Sequence, residues 1–100
     1  MGWSVHRHSE PDRKLDLLER RLVRLRGVVK RGEGSNHISN AAEKVRLAAL
    51  AVIKAKRALI GEYPQRDPTG RQSRKLQDEE QRWLTLSTDA IVEEHGTDDA

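Results

Sequence analysis

Residues 38–60 constrain the fold most, because they are apolar on two sides of what their spacing predicts to be a single helix. One series repeats every seven residues: Ile38, Val45, Val52 and Leu59. Three small residues repeat at the same interval: Ala41, Ala48 and Ala55. A second apolar series consists of Leu47, Leu50, Ile53 and Ile60. Alanine lets a neighbouring helix approach closely, and a helix that is apolar on both sides needs partners on both sides.

A heptad series precedes this segment and predicts a first helix over about residues 10–31. Its apolar positions follow at intervals of three and four: Leu15, Leu18, Leu22, Leu25 and Val29. This is the register of a coiled-coil seam. Ser9 is a suitable N-cap residue, Pro11 is tolerated in the first turn, and Gly32 and Gly34 are typical of a helix end.

The second helix is predicted over about 37–60, since Gly61 and Pro64 follow it, and a third over about 68–94. Asp67 and Pro68 are typical of a helix start, and His95-Gly96 is a stop signal. The sequence therefore predicts an all-α fold, either a three-helix bundle or a helical hairpin plus a third helix, with coiled-coil-like seams. We expect residues 9–95 to form one helical domain, between a flexible arm at 1–8 and a disordered tail at 96–100.

The supply of core residues predicts self-association. The chain has 100 residues, no Phe and no Cys, and its core must come from 22 Leu, Ile and Val residues and nine Ala. Small chains with little core are often stabilised by oligomerisation. A homodimer that buries one side of the second helix, or the seam of the first, would cover these apolar surfaces.

The leading functional hypothesis is a small helical interaction or adaptor protein, which self-associates and docks on another macromolecule. The protein partner is not identified by the sequence. Trp83 is the one large aromatic within a periodic segment, and it suits either a core or an interface anchor. The predicted interface residues are Leu15, Leu18, Leu22, Leu25, Val29, Ala41, Val45, Ala48, Val52, Ala55 and Trp83.

A basic cluster on the first helix supports the alternative, a nucleic-acid-binding protein that contacts phosphates. The cluster comprises Arg20, Arg21, Arg24, Arg26, Lys30 and Arg31. Residues 1–75 hold 18 basic against 8 acidic residues, and residues 76–100 hold one against eight. The cluster could therefore equally be solvated, bound to an acidic protein, or paired with the acidic third helix through Asp78, Glu79 and Glu80.

Several classes of function are not expected. Without Cys, and with only His6, His8, His37 and His95, no metal site or cofactor is predicted. Consecutive helical residues point about 100° apart, so Asp78, Glu79 and Glu80 do not converge on a substrate, and an enzyme is not expected.

No apolar stretch reaches the roughly 20 residues that cross a bilayer. No membrane association and a cytoplasmic location are therefore predicted. The ratio of 13 Arg to 6 Lys is typical of a GC-rich bacterial or phage source.

Overall fold

A computed structural model describes residues 9–97, and within them the chain is helical without β-strands. The α-helices are α1 (Glu10–Lys30), α2 (Ser35–Glu62), α3 (Arg71–Thr85) and α4 (Thr88–His95), with a 3₁₀ turn at Pro64–Arg66 between α2 and α3. The prediction of an all-α fold is confirmed. The predictions for residues 1–8 and 98–100 lie outside the described residues.

Helix α1 begins where the sequence predicted. The Ser9 hydroxyl accepts a hydrogen bond from the backbone amide of Asp12 at 3.4 Å, and Pro11 lies in the first turn. The helix ends before Gly32, which adopts a positive φ of 66°, a conformation that glycine tolerates best. Helix α2 begins at Ser35 without a side-chain cap. The short connection makes α1 and α2 an antiparallel hairpin.

Helix α2 is central, and it packs against α1, the 3₁₀ turn, α3 and α4. Leu25 and Val28 of α1 are buried in one core cluster with Ala41 and Val45 of α2 and Ile91 of α4. The first apolar series of α2 is thus largely covered within one chain, and Ile53 of the second series is buried, but Leu47 of the second series is 64% exposed. Most of the two-sided pattern that motivated the dimer prediction therefore has an intramolecular explanation.

The prediction of one continuous third helix is wrong, because this part of the chain forms two helices, α3 and α4. Leu86 has an extended backbone conformation after α3. The Ser87 hydroxyl then accepts a hydrogen bond from the Ala90 amide at 3.1 Å and caps α4. A serine at this position stabilises a new helix start. The break lets Leu76 of α3 and Ile91 of α4, both buried, reach α2 from two differently directed helices.

Helix α3 begins at Arg71, three residues later than predicted, although Asp67 does cap it. The Asp67 carboxylate accepts hydrogen bonds from the backbone amides of Gln72 and Ser73 at 3.0 Å each and from the Ser73 hydroxyl at 2.7 Å. Gly70, with a φ of 73°, turns the chain between the cap and the helix. Asp67 therefore caps α3 from across a turn. The sequence had predicted that it would lie directly before a helix that begins at Pro68.

The end of α4 packs closely on α1. Gly96, where the predicted tail began, is buried. A Cβ atom at this position would meet the Val92 carbonyl oxygen and lie 3.2 Å from Cγ2 of Val29. Only a glycine fits this contact without displacement of its neighbours.

Candidate nucleic-acid interface

The basic residues of α1 divide between two sides of the helix. Arg20, Arg24 and Arg31 are four and seven residues apart, a spacing that places residues on one side of an α-helix. Arg26 and Lys30, four residues apart, share a different side. Arg21 and Arg26 are half-buried, and the other basic residues of the cluster are exposed. The predicted cluster is therefore not one surface, and its larger part lies with Arg20 and Arg24.

A shallow groove between α1 and α2 brings a cation of α2 to the side of Arg21, the residue next to Arg20. Arg21 of α1 and Lys44 of α2 both line this groove, which has a volume of about 170 Å³. Its other lining residues are Leu17, Leu47, Ala48 and Ala51. We call this surface the basic face and define it as Arg20, Arg21, Arg24, Arg31 and Lys44.

One cation of the basic face is neutralised locally. The Arg31 Nε donates a hydrogen bond to Oε2 of Glu33 at 2.7 Å. This bond is the largest cause that lowers the pKa of Glu33, and the positive charges of Arg31, His37 and Arg24 lower it further against the cost of burial. Arg20, Arg21, Arg24 and Lys44 form no ion pair with another residue of 9–97. Four positive charges of this face therefore have no carboxylate within ion-pair distance in the described part of the chain, although Asp16 and Glu19 lie beside Arg20.

The acidic residues of α3 do not cover the basic face. Helix α3, which carries Asp78, Glu79 and Glu80, packs against α2 but not against α1. Glu80 pairs instead with Arg57 of α2, at 3.1 Å from its Nη1. Helix α4 does reach α1, but on the side of Val29. The alternative in which Asp78, Glu79 and Glu80 neutralise the cluster is therefore not realised in this fold.

A second basic group near the end of α2, Lys54, Lys56 and Arg57, does not extend the basic face. Arg57 is engaged by Glu80. Lys56 lines a cleft of about 500 Å³ at the other end of the molecule, which is also lined by the start of α1, the end of α2 and the first half of α3. Its charged lining is mixed and comprises Asp12, Lys56, Arg66, Lys75 and Glu79.

Most predicted interface residues pack inside the chain. Leu25, Ala41, Val45, Ala48, Val52 and Ala55 are buried. Leu18, Leu22, Val29 and Trp83 are half-buried against the core, and Leu15 is 40% exposed. The heptad positions thus form the packing surface between α1 and α2. Heptad spacing is expected for two helices that pack in a hairpin as well as for two chains that form a coiled coil.

Arg46 is the one polar residue between Val45 and Ile53, and its role was not predicted from the sequence. Its side chain is only 14% exposed and pairs with Glu43 at 2.9 Å. Its guanidinium donates hydrogen bonds to the backbone carbonyl oxygens of Trp83 and Leu86. These carbonyls lie at the end of α3, where a helix lacks partners and a cation is favourable. A lone arginine in an otherwise apolar run was the available signal.

Among residues 9–97, no group of three or more His, Asp or Glu side chains is placed to hold a metal ion. No helix in this part of the chain is long and apolar enough to span a bilayer. No protein-family model matches the sequence, and neither a curated protein nor a solved structure is significantly similar to it.

Proposed function

We propose that this protein binds nucleic acid through the phosphate backbone, with the basic face as its contact surface and without catalysis. The observation that carries the proposal is the grouping of Arg20, Arg21, Arg24 and Lys44 on one side of the hairpin, without ion pairs among residues 9–97. Phosphates favour such multivalent positive surfaces.

The position of the acidic helix supports this proposal further. Binding to a polyanion would be opposed by carboxylates beside the contact surface. Helix α3 lies across α2 from α1, so its carboxylates are kept away from the approaching phosphates. The carboxylates of α3 thus lie away from the basic face, whereas Asp16 and Glu19 of α1 lie beside Arg20.

A titration of a fluorescently labelled duplex of about two helical turns, or about 20 base pairs, tests the proposal. We expect anisotropy to report binding that weakens steadily as salt rises from about 50 to 200 mM, because each phosphate contact releases counterions. Absence of binding at the lowest salt concentration would remove this function.

A second candidate is the interaction protein that docks on another protein, including a second copy of itself. It is favoured by Leu47, which is 64% exposed in the groove between α1 and α2. Because the heptad residues already pack within the hairpin, we propose that association would use Leu47 and its apolar neighbours rather than a new coiled coil. A cytoplasmic location is compatible with either function and remains a proposal.

Sedimentation velocity at micromolar concentrations distinguishes this candidate from a monomer. A dimer that dissociates in the Leu47→Ser variant, with unchanged helical content, would support it. A monomer at every concentration would contradict self-association, and the nucleic-acid proposal would be unaffected.

A further inference from the structure

The distribution of aromatic residues bears on the form of nucleic acid that the basic face can bind. Tyr63 lies beyond the end of α2, with the Arg66 guanidinium 5.1 Å from its ring centroid. Trp83 stacks on His95, with ring centroids 5.2 Å apart. Neither α1 nor α2 contains a Phe, Tyr or Trp residue. Proteins that bind single strands commonly stack bases on aromatic side chains, and the two helices that form the basic face offer none.

The cations of the basic face have fixed spacings because they lie on two packed helices. Arg20 and Arg31 are eleven residues apart on α1, which corresponds to about 16 Å along the helix axis. Lys44 lies across the groove on α2, and packed helices have axes about 8–10 Å apart. A rigid double helix presents its phosphates at similarly fixed positions, with one charge per about 1.7 Å of axis. A single strand would first have to be ordered to match this array.

The outer edge of α1 makes base reading unfavourable. Asp16 and Glu19 lie beside Arg20 and Val23 on this edge. If the edge entered a major groove, both carboxylates would approach the flanking phosphates. Arg20 belongs to this edge as well as to the basic face, and the rest of the basic face can meet a phosphate backbone from the side of the groove without bringing the two carboxylates as close. Contacts of this kind position a protein on a duplex but do not read its sequence.

We infer that the basic face takes double-helical nucleic acid in preference to single strands, through phosphate contacts that are independent of base sequence. This inference rests on the proposed function and narrows its ligand. Four contacts give a salt dependence of about −0.9 per contact on a duplex and about −0.7 on a single strand. If the two ligands bind with equal affinity near 1 M salt, this difference in slope makes the protein bind the duplex about tenfold more tightly than the single strand at about 50 mM salt.

The test uses the full chain, a mixed-sequence DNA strand, its duplex, and a second duplex of shuffled sequence with the same composition. We expect the duplex to bind about tenfold more tightly than the strand at about 50 mM salt, and the two duplexes to bind within about twofold of each other, as phosphate contacts require. The variant Arg20→Gln/Arg24→Gln should lose most of the duplex affinity, with the circular dichroism spectrum unchanged.

Two outcomes overturn the inference while the proposed function survives. One is a single strand that binds as tightly as the duplex, and the other is a marked preference between the two duplex sequences. Failure of all three ligands to bind overturns the proposed function as well, so the two failures are distinguishable.

Discussion

Arg46 of α2 donates a hydrogen bond to the backbone carbonyl oxygen of Trp83, 37 residues further along the chain. A second bond from the same guanidinium reaches the carbonyl of Leu86. Together they attach the last turn of α3 to the central helix at the point where the chain turns into α4. The guanidinium supplies partners to carbonyls that the helix itself leaves unpaired.

Replacement of Arg46 by Met should therefore destabilise the fold while it preserves side-chain length. Hydrogen bonds to a charged group contribute about 1.5–3 kcal/mol each, and carbonyls that lose their partner add a desolvation cost. We expect the free energy of unfolding to fall by about 2–4 kcal/mol in urea denaturation. Arg57→Met is the matched control, because it breaks only the more exposed pair with Glu80 and should cost less than about 1 kcal/mol. Equal losses in the two variants would contradict the role of Arg46.

Gly96 should tolerate no larger residue. A Cβ atom there meets the Val92 carbonyl and comes within 3.2 Å of Val29 Cγ2, so Gly96→Ala should cost about 1–3 kcal/mol in thermal or urea unfolding. At Gly61, which lies within α2, an added Cβ has no neighbour within 4 Å. Gly61→Ala should therefore stabilise the protein, by up to about 1 kcal/mol. If Gly96→Ala were as stable as the native protein, the close packing of the end of α4 on α1 would be wrong.

The Asp67 cap should make stability depend on pH in the acid range. The hydrogen bond from the Ser73 hydroxyl, followed by those from the Gln72 and Ser73 amides, lowers the pKa of Asp67 below the ordinary value of 3.8. Because the pKa of Asp67 is lower in the folded state, the ionised cap stabilises the fold in full at pH values well above 3.8. This stabilisation declines as the pH falls through that value, and it is absent below the folded-state pKa.

Unfolding measured from neutral pH to below pH 3.8 checks this prediction. Asp67→Ala should reduce stability at neutral pH and flatten the decline on acidification, because the group that titrates is gone. Ser73→Ala keeps the carboxylate but removes the largest cause of its lowered pKa, so its pH dependence should be intermediate. A native protein and an Asp67→Ala variant with parallel pH profiles would refute the linkage.

The sequence predicted the faces of α1 and α2 well, since heptad spacing depends on which residues avoid water. It could not predict what covers those faces. Ala41 and Val45 suit a second chain as well as they suit Leu25 of the same chain, and only the assembled fold places Leu25 against them. The dimer was predicted because the sequence does not distinguish a partner helix of the same chain from one of a second chain.

The remaining differences come from contacts between residues far apart in the chain. At the break, the Leu86 carbonyl accepts a hydrogen bond from Arg46, 40 residues away, although Ser87 and Asp89 also form a local helix-start signal. The division of the basic cluster followed from helical spacing alone. The distance of the acidic helix α3 from α1 could not be foreseen, because the charge count does not fix the order of helices in space.

The central claim is that Arg20 and Arg24 contact phosphates, and the salt dependence of duplex binding tests it most directly. Four contacts predict a slope of log K against log salt of about −4, and Arg20→Gln/Arg24→Gln should reduce it to about −2. The control Arg71→Gln/Arg82→Gln removes the same charge from α3 and should leave the slope near that of the native protein. A slope unchanged by the first pair of substitutions, or reduced equally by both pairs, would contradict the assignment of phosphate binding to the basic face.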